Sequence, residues 1–286
     1  MYRTCRAALL AACLPLLLAA CSVASVVNAL VPTGALEIRH DLPYGEHPRQ
    51  RLDAYRPRAQ ADGATSPVVV FFYGGSWQGG NRGQYLFAAE ALASLGFVVI
   101  VPDYRVYPEV VFPAFVEDGA RAVAWARRHA PELGGDPARL FLMGHSAGAH
   151  IAALLALDPQ YLDGAGESTK DLAGFIGLAG PYDFLPLESE VLRRIFAPPG
   201  RLASTQPINF VRGGEPPALL VTGEEDGIVN PGNTARLAAR LRQHGSRVEE
   251  RRYAGFNHYT LVGYLAAPVR DERLMRDIAR FAGLAP

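Results

Sequence analysis

With 286 residues, the chain is long enough for one large α/β domain with a sizeable core. Apolar residues make up 49% and charged residues 20%, and Lys+Arg and Asp+Glu each number 28, so the formal net charge is zero. That balance gives no basic surplus for binding nucleic acid and no acidic tail.

Arg3 and Arg6 precede an apolar stretch, 7–20, too short to span a bilayer but suited to the core of a signal peptide. It ends Leu18-Ala19-Ala20-Cys21, which resembles the bacterial lipobox. That resemblance implies a signal peptide over 1–20, acylation of Cys21 and a lipid-anchored chain in the cell envelope. Ser22 after the cysteine favours the outer membrane. Cys5 and Cys13 lie inside the removed segment, so no disulfide, cysteine metal site or cysteine nucleophile is expected. Residues 21–34 read as a tether of small and apolar residues.

The catalytic-size domain follows from 35 to 286. Stretches 36–39 and 51–55 alternate about a Pro/Gly turn and predict a hairpin; 58–66 reads as a loop. Strands and helices then alternate. Strands are expected at 67–73, 97–101, 140–143, 172–178, 218–222 and 247–253. Helices are expected at 85–95, 112–130, 149–157, 234–243 and 271–282. The 67–73 run is almost continuously apolar, as a central parallel strand must be when both its faces are covered. The rhythm implies a mostly parallel sheet with helices on both faces. It breaks over 184–215, where an apolar-faced helical piece precedes Pro198, Pro199, Gly200 and Pro207. This stretch is either a cap over the site or a long excursion.

The organising stretch is Gly144-His145-Ser146-Ala147-Gly148, between an apolar strand and a run of helix formers. Strand, sharp turn and helix is the setting of a nucleophile elbow, where small neighbours let backbone approach backbone. A serine hydroxyl needs a base within hydrogen-bond reach, and the base needs an orienting acid. Of the seven histidines, His40 and His47 precede the sheet core, His129 and His244 end helices, and His145 and His150 flank the serine pointing away from its Oγ. His258, in a loop after the last strand, remains as the base. Asp226, in the loop after 218–222, is the acid, with Gly223 and Gly227 turning the loop and Ile228-Val229 anchoring it; Glu225 and Asp183 are the competitors. The order Ser146, Asp226, His258 is that of α/β-hydrolases. The developing oxyanion needs donors already in place. Ala147 N–H is one, and Gly75 or Ser76 in Tyr73-Gly74-Gly75-Ser76-Trp77 supplies the second.

These motifs together resemble the α/β-hydrolase superfamily, in the esterase branch that includes hormone-sensitive-lipase-like, bacterial feruloyl/acetyl esterase-like and arylformamidase-like enzymes. Gly-Gly-Ser-Trp at 74–77, Asp103-Tyr104-Arg105 with Pro108 beyond, Gly134-Gly135-Asp136-Pro137, the elbow, and the Asp226 and His258 loops occur in the expected order over about 35–284. The resemblance implies a serine carboxylesterase acting on small or short-acyl esters, with no cofactor and no metal. The alternatives are an amidase or arylformamidase, and, in another class, a membrane-anchored binding module that lost its chemistry. The branch usually carries histidine where this chain has Tyr73, which either braces the loop or faces the acyl pocket. Asp103 and Arg105 resemble a structural pair. Tyr73, Trp77, Tyr182 and Phe184 are expected to line the substrate pocket. Substrate identity and oligomeric state are left open.

Overall fold

The computed structural model describes residues 23–58, 65–196 and 202–285. The expected signal peptide and Cys21 lie outside the described residues. An eight-stranded sheet has the order β1-β2-β4-β3-β5-β6-β7-β8. Its strands are β1 Leu36–Pro43, β2 Arg51–Pro57, β3 Ser66–Phe72, β4 Val98–Pro102, β5 Gly135–His145, β6 Leu172–Leu178, β7 Ala218–Gly223 and β8 Val248–Tyr253. β1 and β2 pair antiparallel, β2 joins β4 antiparallel, and every later neighbour is parallel.

Hydropathy explains the strand positions. β3 reads Ser-Pro-Val-Val-Val-Phe-Phe with every residue buried, and it sits between β4 and β5. β8, Val-Glu-Glu-Arg-Arg-Tyr, is the far edge and only half-buried, as a charged edge strand should be. β5 runs longer than its apolar core. Gly135 and Asp136 pair with Ser66 and Pro67 before a register shift admits Leu140 opposite Val68.

The helices are α1 Val23–Ala29, α2 Leu86–Ser94, α3 Ala114–His129, α4 Ala147–Leu157, α5 Pro159–Gly164, α6 Glu190–Phe196, α7 Gly232–Gln243, α8 His258–Gly263 and α9 Glu272–Phe281. Helix α4 is buried on every residue, which its Ala/Leu/Ile composition permits. Helix α9 is capped by Asp271, whose side chain accepts from the Arg273 and Leu274 amides.

Part of the expected tether is ordered against the domain. Asn28 of α1 donates to the Gly83 carbonyl at 2.7 Å and accepts from the Phe87 amide at 3.2 Å, and Val31 is buried. The chain is therefore fixed to the domain from α1 onward, and any free tether is shorter than 21–34. Stretch 184–215 holds α6 and two 3₁₀ turns at Leu202–Thr205 and Pro207–Phe210. It is held down by the Phe112 amide on the Ile195 carbonyl at 2.9 Å and the Ile208 amide on the Tyr182 carbonyl at 3.2 Å.

Candidate active site

Ser146 stands between β5 and α4 with φ +55 and ψ −124, a conformation that costs a non-glycine residue about 1–3 kcal/mol. The neighbouring glycines are sterically required. A methyl on Gly144 would sit 2.3 Å from the Gly148 backbone, and one on Gly148 would sit 2.0 Å from the Phe72 carbonyl oxygen. The turn is pinned from β6 by the Ser146 amide donating to the Leu178 carbonyl at 2.9 Å.

The expected base and acid follow β8 and β7 and meet at the same edge of the sheet. His258 Nε2 lies 2.9 Å from Ser146 Oγ, and its Nδ1 lies 2.8 Å from Asp226 Oδ2. All three residues are buried. His258 is not a loop residue but the first residue of α8. Asn257 caps that helix, accepting from the Tyr259 and Thr260 amides at 3.0 and 2.9 Å, while Thr260 Oγ1 accepts from the Asn257 amide at 2.8 Å. The cap fixes where the imidazole begins.

Asp226 Oδ1 accepts from the amides of Ile228 and Val229, both at 2.9 Å. Burial alone would raise its pKa. The bonds from His258 and the two amides outweigh burial and hold the carboxyl below the usual range. Ile228 is not a core anchor, being 62% exposed; its backbone, not its side chain, holds the loop. Gly227 has open space around it, whereas a methyl on Gly223 would lie 2.1 Å from the Phe256 carbonyl oxygen. The competing acids are placed elsewhere: Asp183 pairs with Arg236 at 2.5 Å, and Glu225 is exposed.

The loop after β3 comes close to the serine. A methyl on Gly74 would lie 3.1 Å from Ser146 Cβ. Gly75 has φ +145, and Ser76 and Trp77 follow at φ +52 and +58, with Gly75 and Ser76 exposed at the surface of the turn. The Gly75 carbonyl is occupied by the Gln78 and Gly79 amides, and the Trp77 carbonyl by the Tyr107 amide. Ala147 is the first residue of α4, where a helix has no carbonyl partner for its amide. A helix N-terminus also favours negative charge beside the serine.

The BD-FAE family matches residues 52–241, two thirds of this sequence, including Ser146 and Asp226. The chain belongs to the BD-FAE family. His258 lies beyond the matched span. Esterase LipQ of Mycobacterium tuberculosis is 31% identical over 261 residues, covering 85% of this chain and 62% of LipQ. Isoprenylcysteine alpha-carbonyl methylesterase ICME of Arabidopsis thaliana is 30% identical over 266 residues, covering 85% of this chain and 61% of that protein. The chain thus spans somewhat less than two thirds of the length of these curated relatives. Among solved structures, Thermogutta terrifontis esterase 2 phosphoramylated by tabun superposes with a TM-score of 0.71 at 25% identity, covering 89% of this chain and 98% of that one. The fold is the α/β-hydrolase fold.

Two pocket expectations for this BD-FAE chain are corrected by burial. Tyr73 is fully buried, donates to Asp103 Oδ1 at 2.8 Å, accepts from Arg49 Nη2 at 3.1 Å and stacks on Tyr85 and Tyr104. It braces the base of the glycine loop; burial pushes its phenol pKa well up. Tyr182 is fully buried and folds back on the end of β6 and the turn after it, where methyls on Gly177 and Gly180 would collide with it. Trp77 and Phe184 do stack on each other, with centroids 6.0 Å apart, and share an aromatic cluster with Phe115, Phe196 and His150.

Asp103 and Arg105 do not pair with each other. Arg105 makes a two-pronged contact with the fully buried Asp118, at 2.8 Å on each prong. Asp103 takes Arg82 through Nη1 at 2.5 Å and through its amide at 2.6 Å. Arg49, which ties Tyr73, the Tyr104 carbonyl and the Gly80 carbonyl together, carried no sequence signal. Nor did His145, which meets the His258 carbonyl at 3.0 Å. Asn257 did carry one: a cap residue with threonine three positions on is a readable helix start.

Proposed function

We propose that the chain is a serine carboxylic-ester hydrolase acting on short-acyl esters. The observation that carries this reading is the 2.9 Å approach of His258 Nε2 to Ser146 Oγ, with Asp226 2.8 Å from the other ring nitrogen. In the proposed reaction, Ser146 Oγ attacks the ester carbonyl while His258 takes its proton. The oxygen of the tetrahedral intermediate is received by the amides of Ala147 and of Gly75 or Ser76. His258 then gives the proton to the departing alcohol, leaving an acyl-enzyme. Water, deprotonated by the same imidazole, releases the acid and restores the serine. Asp226, ionised through the working range, holds His258 in the Nδ1–H tautomer and stabilises the imidazolium. The esterase names of LipQ and ICME support the reaction class, and the tabun adduct described for the Thermogutta esterase supports a reactive serine.

Trp77 and Phe184 are proposed to wall the acyl side, and 184–215 to act as its cap. The lipobox-like Leu18-Ala19-Ala20-Cys21 supports envelope anchoring through Cys21. Loss of fatty-acid labelling in Cys21→Ser tests that anchoring separately.

The test of the reaction is hydrolysis of p-nitrophenyl acetate by the full chain and by Ser146→Ala. Wild type is expected to turn over, and the variant to lose on the order of 10⁶-fold in kcat. An inert wild type, or a variant equal to it, contradicts the reading.

A further inference from the structure

We infer that His145 is a positioning residue that locks the peptide of His258 and the glycine loop to the nucleophile turn. The inference rests on the serine-hydrolase reading above and adds a role for the residue just before the serine.

His145 ends β5 and is 4% exposed. Its Nε2 lies 3.0 Å from the backbone carbonyl oxygen of His258. A carbonyl only accepts, so Nε2 carries the proton and donates. Nδ1 is then the bare nitrogen; it is buried and has no hydrogen-bond partner among the described residues. It faces Gly74, where an added methyl would lie 3.0 Å away. One ring therefore touches the start of the glycine loop with one nitrogen and the peptide of the base with the other, and its own backbone leads directly into Ser146. These are the three parts that must stay in register for the hydroxyl, the imidazole and the amides to act together.

The ring of His145 also packs against that of His258, with centroids 4.8 Å apart and planes at 44°. Burial, and then the neighbouring His258, lower the pKa of His145 to about 3. The bond to the His258 carbonyl and then the charge of Asp226 oppose this without outweighing it. A neutral ring is what this position requires, because His258 becomes cationic during each half-reaction and a second cation at 4.8 Å would oppose that step.

The test uses the full chain and p-nitrophenyl acetate. His145→Leu removes the donor; His145→Gln keeps an amide able to reach the same carbonyl. We expect kcat of His145→Leu to fall about tenfold or more with KM within about twofold, and His145→Gln to recover most of that loss. If wild type turns over and His145→Leu matches its kcat, or Gln does no better than Leu, the inference falls while the esterase reading stands. An inert wild type overturns both. A second measurement is the ¹⁵N spectrum of histidine-labelled wild type between pH 8 and 5. Two buried histidines, His145 and His150, are expected in the neutral Nε2–H tautomer, bonded to a carbonyl and unmoved by pH, and the signal absent from His145→Gln is that of His145. Assignment of His145 as the Nδ1–H tautomer, or its protonation in that range, contradicts the inference.

Discussion

Gly223 and Phe256 hold the proposed acid and base loops against each other. A methyl on Gly223 would fall 2.1 Å from the Phe256 carbonyl oxygen, and that same oxygen accepts from the Glu225 amide at 3.0 Å. The turn carrying Asp226 and the turn carrying His258 are thus one laced unit. Gly223→Ala must push them apart. We expect destabilisation of about 1–3 kcal/mol in urea melts and a fall in kcat exceeding that in kcat of Gly227→Ala, where there is open space. Equal behaviour of the two variants contradicts this relationship.

Tyr73→Phe keeps the stacking on Tyr85 and Tyr104 and removes the hydroxyl between Asp103 and Arg49. Leaving a buried partner short of one bond costs about 1–3 kcal/mol. Because the Arg49 clamp also grips Gly80 at the far end of the glycine loop, kcat should fall several-fold with little change in KM. Steady-state kinetics beside a thermal melt decide this. A variant changed only in KM would return Tyr73 to the substrate pocket.

Phe184 is half-buried and stacked on Trp77, so its truncation opens that side without emptying the core. Phe184→Ala should shift preference along a p-nitrophenyl acetate-to-octanoate series toward longer chains, by at least one or two methylene steps. An unchanged profile removes Phe184 from the acyl wall.

Two buried histidines make stability pH-dependent. Burial lowers His145 to about 3 and His150 to about 4. Both folded values lie below the unfolded value of about 6.5, so below that pH the unfolded chain binds protons that the folded chain refuses. Stability is therefore full above pH ~6.5 and declines as pH falls toward 4, by up to about 1.4 kcal/mol per pH unit for each histidine. His150, which bonds the Thr205 carbonyl at 2.8 Å inside the Trp77–Phe196 cluster, can be replaced to isolate one share. Urea midpoints from pH 7 to 5 should fall less steeply in His150→Phe than in wild type. Parallel slopes contradict the assignment.

The sheet was legible because hydropathy decides it. The buried run 67–73 became β3 shifted by one residue, and 172–178 became β6 without change. The elbow was legible because steric demand at Gly144 and Gly148 leaves few residue choices. Side-chain direction was not. Tyr73 and Tyr182 carry the right chemistry for a pocket, yet each turns into the core, and only the packing around Asp103 and around Gly177 reveals it. The Arg105–Asp118 pair joins residues 13 apart through the approach of α3 to the β4 end, which no local pattern encodes. Helix α8 was missed because six residues are too few to show a period, although its cap was there to be read.

The central claim is that Ser146 is made reactive by His258. Treat the full chain with a fluorophosphonate and locate the adduct by peptide mass spectrometry, in wild type and in His258→Ala. A single adduct on Ser146 is expected in wild type, formed at least about a hundredfold more slowly in the variant. No adduct in wild type, or labelling at the same rate without the imidazole, would contradict it.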